Sequence, residues 1–245
     1  MVATGILAAG LMRIVAEASV GGAHEPHVRA RLLAEILDPA PGQTVTLAVV
    51  LEIDEGWHVY WDGRNDTGTP VEVDPDLPPG FAAGDLLWPA PERLVLPGEI
   101  LDHVYHDRVA LLLPVTIPKD ATPGTRATLA ADLGWLVCES VCMPEEARAE
   151  IEVTVGDGRK RDPEAARLIA ETRARVPKAP RPQDGVTVTY KGDAITLRVA
   201  GASELELYPR TKCVELVDAI HDAAATGDTM RLRCRPAKPG QGAFG

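Results

Sequence analysis

The sequence predicts a mostly β chain, a β-sandwich followed by a smaller β-rich unit. Three observations predict it. Gly and Pro number 22 and 21 among 245 residues and recur at short intervals. Short runs rich in Val, Leu and Thr lie between these breaks, the rhythm of an all-β sandwich rather than of an α/β enzyme. A hydrophobic fraction of 45% is ordinary for a globular protein and supplies a sizeable core.

Element by element, His27–Leu37 alternates weakly and is a candidate first strand, ended by the turn Pro39-Ala40-Pro41-Gly42. Thr44–Ile53 is rich in β-branched residues with partial alternation, a strong strand signal. Glu55-Gly56 turns into Trp57-His58-Val59-Tyr60-Trp61, a strand with an aromatic face on which Trp57 and Trp61 can share a side. Arg64–Pro70 is a polar loop, and Asp66-Thr67-Gly68-Thr69 within it reads as a turn. Val71–Val73 is briefly extended, Arg93–Leu96 is a further strand, and Gly98–Asp107 reads as a loop. Val109–Ile117 is strand-like, with Pro114 demoting it to an edge or a bulge. Arg126–Val137 and Ala147–Val155 form a candidate hairpin. Together these make about eight strands over roughly 130 residues, which suits a sandwich.

Pro163–Arg175 reads as a helix with Leu168 and Ile169 at its apolar centre, and Pro177–Pro182 as an extended proline-rich linker. Val186–Tyr190 and Ala194–Val199 form a hairpin across Lys191-Gly192-Asp193, with further strands at Glu204–Tyr208 and Met230–Cys234. The expected organisation is a leader or signal-like segment over 1–26, a sandwich over 27–156, a helix and linker over 157–184, and a second, possibly incomplete β-domain over 185–245. In the leader, Gly5–Met12 resembles a short apolar core and Ala16-Glu17-Ala18 a small-x-small cleavage site. No basic segment precedes them and Arg13 interrupts the run, so a signal-peptide remnant and an amphipathic lead-in both stay open.

A formal net charge of −11 argues against nucleic acid as a partner, because binding it needs a basic surface. It argues equally against binding anionic lipid by charge. No apolar run reaches the roughly eighteen residues of a membrane-spanning helix.

The stretch Trp135-Leu136-Val137-Cys138-Glu139-Ser140-Val141-Cys142-Met143-Pro144 carries two of the chain's 4 cysteines. Two thiols this close can form a disulfide and reopen, the minimum equipment for thiol–disulfide exchange. A structural disulfide is the plainer reading, yet so small a loop stabilises little by chain entropy. A metal pair is a third reading, but the neighbours do not supply two more ligands. Cys213 and Cys234, in the second unit, are either a structural disulfide suited to a small envelope domain or free thiols.

Gly56-Trp57-His58-Val59-Tyr60-Trp61, Asp66-Thr67-Gly68-Thr69-Pro70, Leu77-Pro78-Pro79-Gly80-Phe81, Trp88-Pro89-Ala90-Pro91, and Cys138 and Cys142 with Pro144 and Glu145 occur in this order and spacing. Over roughly residues 28 to 155 the chain thereby resembles the periplasmic amino-terminal domain of the thiol:disulfide interchange protein DsbD, in its ScsB-like branch. Ile195–Pro209 looks like the start of the second β-domain of ScsB-type relatives. The resemblance implies an immunoglobulin-like sandwich in the periplasm with Cys138 and Cys142 as the redox-active pair. It implies electrons received from a membrane-embedded thiol reductant domain and passed to periplasmic thioredoxin-fold oxidoreductases. It calls for no cofactor and no metal. The family's membrane helices and carboxy-terminal thioredoxin-like domain have no counterpart in this sequence, which points to a separated fragment or to a donor on another polypeptide.

The resemblance also places a cap over the cysteines within Leu101–Asp107, with His103, Val104, Tyr105 and His106 as its centre and Tyr105 as the covering aromatic. The alternative is an ordinary solvated loop. Of the aromatics Trp57, Tyr60, Trp61 and Trp88, one is expected in the interior and another beside the cysteines, with His58 structural. Cys142 is expected to be the more exposed thiol, since Pro144 marks a turn there. Glu139, Glu145 and Glu146 are expected to raise the pKa of a nearby thiol by like-charge repulsion. Two other functions remain alternatives: a non-catalytic binding or scaffold sandwich, and a copper-handling protein using His103 and His106.

Overall fold

The structure is a computed structural model that describes residues 25–209 and 216–234. The expected leader and Cys213 lie outside the described residues, apart from Glu25 and Pro26 at the leader's end.

Two antiparallel sheets pack face to face as the immunoglobulin-like sandwich that was expected. The first contains β1 (Val28–Ala34), β2 (Thr44–Ile53), β5 (Ala82–Ala83) and β8 (Arg108–Thr116), in the order β1-β2-β8-β5. The second contains β3 (His58–Tyr60), β4 (Glu72–Asp76), β6 (Glu92–Leu96), β7 (Ile100–Tyr105), β9 (Arg126–Cys138) and β10 (Cys142–Thr154). Its order is β10-β9-β3-β7-β6, with β4 pairing a further stretch of β9, Ala130–Gly134. Val49, Leu51 and Leu111 of the first sheet meet Val59, Trp61, Trp135 and Val137 in the main core.

The partial alternation of β2 has a physical cause. One face, with Val49 and Leu51, lines the sandwich interior. The other, with Ala48 and Val50, lies under helix α1 (Pro163–Arg175) and packs with Ala110, Leu112 and Ile169. A strand covered on both sides loses the polar half of its pattern. The helix starts where expected because Asp162 caps it, accepting from the Glu164 and Ala165 N–H groups at 3.0 Å each. Burying Ile169 against the sheet contributes about 1.5–3 kcal/mol.

Two expectations need correction. Pro114 does not put its strand at an edge, since β8 lies between β2 and β5. Its carbonyl accepts from the Gly84 N–H at 2.8 Å. Its missing N–H therefore falls on the side of the two-residue β5, and the β2–β8 ladder loses nothing. Residues 98–107 are not a loop. Ile100–Tyr105 forms strand β7, sandwiched between β3 and β6 and buried from Leu101 onward. Charged Asp102 and two histidines masked its strand character.

Beyond the linker, a 3-10 turn at Pro182–Asp184 leads into β11 (Val186–Lys191) and β12 (Ala194–Val199). They form a sheet with β15 (Thr229–Arg233) in the order β11-β12-β15. β13 (Glu204–Glu206) pairs with β14 (Ala224–Thr226), and the short helix α2 (Ala219–Asp222) precedes the latter. Leu216, Ala223, Met230, Leu232 and Cys234 form a small core. Among the described residues Cys234 has no disulfide partner, and its pairing with Cys213 falls outside them.

Candidate functional site: a disulfide at the end of the second sheet

Cys138 ends β9 and Cys142 begins β10, and the two are direct partners in the ladder. They are joined as a disulfide with Cα atoms 4.2 Å apart. The turn Glu139-Ser140-Val141 connects them. Directly opposed residues on an antiparallel pair point to the same face, so the hairpin puts both sulfurs on one side of the sheet, the side away from the main core. Cys138 is buried and Cys142 exposed, as expected, but Pro144 marks no turn: it lies within β10, opposite Leu136. Val141, at the tip, is 66% exposed.

Strand alternation decides what surrounds the sulfurs. Val59, Trp61, Trp135 and Val137 face the interior. Tyr60, Val104, Cys138, Leu94 and Leu136 cluster on the opposite face. His58 is the register partner of Cys138 and Tyr60 that of Val104. The aromatic expected beside the cysteines is thus Tyr60, while Trp61 fills the interior. Trp57 is half-buried and stacks on His27 at 3.6 Å.

The Tyr60 hydroxyl donates to Cys138 Sγ at 3.1 Å and lies 3.5 Å from Cys142 Sγ. It is also 3.3 Å from Thr67 Oγ1. Thr67 Oγ1 donates in turn to Asp102 Oδ2 at 2.5 Å. Asp102 is fully buried, and its other oxygen accepts from the Asp66 and Thr67 N–H groups at 2.7 and 3.0 Å. Both oxygens of this buried carboxylate therefore have partners, which is what allows it to stay in the interior. Burial pushes the Tyr60 phenol above its usual pKa, keeping the proton it donates.

Gly68 is required here by space. A Cβ on it would lie 2.1 Å from Tyr60 Cζ, so the ring rests directly on the loop backbone. Asp66-Thr67-Gly68-Thr69 is thus the seat of Tyr60. The composition of the motif identifies a turn, but nothing local shows what leans on it.

His58 lies on the same face, with its ring 5.3 Å from Tyr60 and 5.6 Å from His106. Burial, then the neighbouring His106, holds its pKa below the ordinary value. His106 contacts Glu92 Oε2 at 3.2 Å. His103 is fully buried elsewhere, against Trp61, with Nδ1 2.6 Å from the Arg64 carbonyl. The structure does not bring His103 and His106 together. Among the described residues no group of three His, Cys, Asp or Glu side chains could hold a metal.

Two residues of the expected cap, His103 and Tyr105, do not lie over the sulfurs. Tyr105 faces the interior, packs in the main core and donates its hydroxyl to the Pro89 carbonyl at 2.7 Å. Alternation along β7 puts Val104, not Tyr105, beside Cys138. Glu145, expected to act on the thiols by charge, has a defined structural role. Its carboxylate accepts from the His27 and Val28 N–H groups at 2.8 and 3.2 Å and from Trp135 Nε1 at 3.2 Å. It ties the start of β1 to β10.

With this geometry in place, comparison with known proteins gives a family match. No curated protein matches the chain by sequence. In structure it is similar to the N-terminal periplasmic domain of ScsB from Proteus mirabilis. The TM-score is 0.57 at 16% identity, covering 85% of this chain and 79% of that one. A second solved structure, the reduced N-terminal domain of DsbD from Neisseria meningitidis, matches at TM-score 0.30 and 16% identity, over 52% of this chain and 86% of that one. The first likeness supports the sandwich fold, and the second is too low to carry an argument. The family profile described as "Thiol:disulfide interchange protein DsbD, N-terminal" matches residues 31–153, the span that holds both sheets and the Cys138–Cys142 pair. The chain belongs to the family of the N-terminal domain of the thiol:disulfide interchange protein DsbD.

Proposed function

We propose that this chain is a thiol–disulfide interchange module that works through the Cys138–Cys142 pair. One observation carries the reading: a disulfide across a three-residue turn, on the sheet face away from the main core, with one cysteine exposed, the other buried, and a hydroxyl donating to the buried one. A loop this short is a poor staple by the chain-entropy estimate. A hydroxyl aimed at a sulfur gives a thiolate the hydrogen bond it needs.

In the reduced state the exposed Cys142 thiolate attacks one sulfur of a partner's disulfide. The partner's S–S bond breaks, its second sulfur leaves as a thiolate and takes a proton, and a mixed disulfide forms. The Cys138 thiolate then attacks Cys142 Sγ, releasing the partner's first sulfur. The Cys138–Cys142 bond forms, and the partner has gained two electrons and two protons. Tyr60 stabilises Cys138 as a thiolate in the second step. The reverse sequence recharges the module from a reduced donor.

Membership of the family supports a periplasmic setting, with a membrane-embedded thiol reductant domain as donor and thioredoxin-fold oxidoreductases as acceptors. No observation favours the scaffold or copper-handling alternatives over this reading.

The test is a redox titration in thiol/disulfide buffers, read by mass on the peptides carrying Cys138 and Cys142 after alkylation. A midpoint of about −180 to −270 mV is expected. A pair still oxidised below about −300 mV is a structural bridge and refutes the proposal. After full reduction, limiting alkylating reagent should label Cys142 roughly tenfold ahead of Cys138, following exposure.

A further inference from the structure

The second unit touches the sandwich at the loop that seats Tyr60. The Tyr208 ring, just after β13, meets Trp61 and His103 edge-on at centroid distances of 6.1 and 5.7 Å. The Pro209 carbonyl accepts from the Arg64 N–H at 3.0 Å. Arg93 Nη2 donates to the Ile220 carbonyl at 2.7 Å. Elsewhere the two units leave a cleft of about 250 Å³ between Arg64, Asp66 and Leu101 on one side and Leu216, Asp218 and Ile220 on the other.

What it grips leads to the disulfide without a gap. Arg64 binds Pro209 through its N–H and His103 Nδ1 through its carbonyl. The next residue, Asn65, accepts from the His103 N–H at 2.8 Å and donates to the Trp61 carbonyl at 3.0 Å. Asp66 and Thr67 donate their N–H groups to Asp102. Gly68 supports the Tyr60 ring, whose hydroxyl reaches Cys138 Sγ. Trp61, on which Tyr208 also rests, is the neighbour of Tyr60 in the chain.

We propose that the second unit is a positioning element for the redox pair: Tyr208 and Pro209 clamp the 64–68 segment, and the clamped segment holds the Tyr60 hydroxyl on Cys138 Sγ. This rests on the interchange reading above. Tyr208 touches neither sulfur and acts through Tyr60. A chain of contacts alone does not demonstrate coupling, which is an energy between two sites. A double-mutant cycle measures it.

The experiment uses the full chain with Tyr208→Ala, Tyr208→Phe, Tyr60→Phe and the double variant Tyr60→Phe/Tyr208→Ala. Two quantities are read: the equilibrium constant with glutathione, and the thiol pKa values from the pH dependence of alkylation after chemical reduction. Tyr208→Ala should move both in the same direction as Tyr60→Phe, by about three- to tenfold in the equilibrium constant, the range of one hydrogen bond. Tyr208→Phe keeps the ring and should behave as wild type. The double variant should match Tyr60→Phe alone. A Tyr208→Ala protein with unchanged constants overturns the proposal, including when its second unit has unfolded, because an unfolded unit cannot clamp. Additive effects in the double variant overturn it as well. If the wild-type pair does not exchange with glutathione at all, the interchange reading fails, and the thiol pKa comparison still decides the clamp.

Discussion

The Tyr60 hydroxyl and Cys138 Sγ, 78 residues apart in the chain, are joined by a hydrogen bond of 3.1 Å. Strands β3 and β9 make this possible. Register pairs His58 with Cys138, and Tyr60, two residues on, shares their face. The phenol keeps its proton because burial raises its pKa. A donor held beside a buried sulfur serves the thiolate more than the thiol, since hydrogen bonds to a charged acceptor are the stronger ones.

Tyr60→Phe should therefore raise the pKa of the Cys138 thiol by about half to one unit, the equivalent of one hydrogen bond. Closure of the mixed disulfide should slow accordingly. The pH dependence of alkylation of the reduced protein checks the first point, and stopped-flow exchange with a model disulfide the second. An unchanged pKa would remove Tyr60 from the mechanism.

Thr67→Val separates stability from reactivity. It removes the hydroxyl that donates to buried Asp102 Oδ2, leaving that oxygen short of a partner at a cost of about 1–3 kcal/mol. It also removes the oxygen that competes with the sulfurs for the Tyr60 proton. The chemical denaturation midpoint should fall, while the thiol pKa should stay or drop, opposite in sign to Tyr60→Phe.

Gly68→Ala should act on both. The added Cβ would sit 2.1 Å from Tyr60 Cζ, so either the ring or the loop must move. Overpacking of this kind costs about 1–3 kcal/mol. Displacing the ring also breaks the contact to Cys138, so thermal unfolding and thiol pKa should both report the change. A protein of wild-type stability with an unmoved pKa would show that the loop is softer than its hydrogen bonds imply.

Burial lowers the pKa of His58 and of His103 below the ordinary imidazole value of 6.5. The unfolded chain then takes up protons before the folded one as pH falls. Stability should be full above about pH 6.5, decline as pH drops toward the folded-state pKa values, and level off below them. Thermal midpoints across pH 7.5 to 5 should show a loss of a few degrees, and His58→Gln should flatten part of it.

Much of the fold was legible because it is written locally. β2 was marked by β-branched residues, and α1 by its apolar centre with charges around it. The β11–β12 hairpin was marked by its turn residues. The Cys138–Cys142 pair was equally legible, since the hairpin that presents it is a single local unit. Less legible were the segments whose state depends on distant partners. Residues 100–105 carry Asp102 and His103, which suggest solvent, yet both are buried where the 64–67 segment bonds the Asp102 carboxylate and the His103 N–H and Nδ1. Pro114 suggested an edge, yet it occupies an inner strand because its neighbour there is only two residues long.

The sequence by itself determined the β class, the helix, the close cysteine pair and the family. The tertiary structure alone decided which groups serve that pair. Tyr60, Thr67, Asp102 and Cys138 come from separate parts of the chain, and Tyr208 from the second unit. Their meeting depends on sheet order and strand register. Both are settled by how the two sheets bury their apolar faces against each other, which no local pattern of residues encodes.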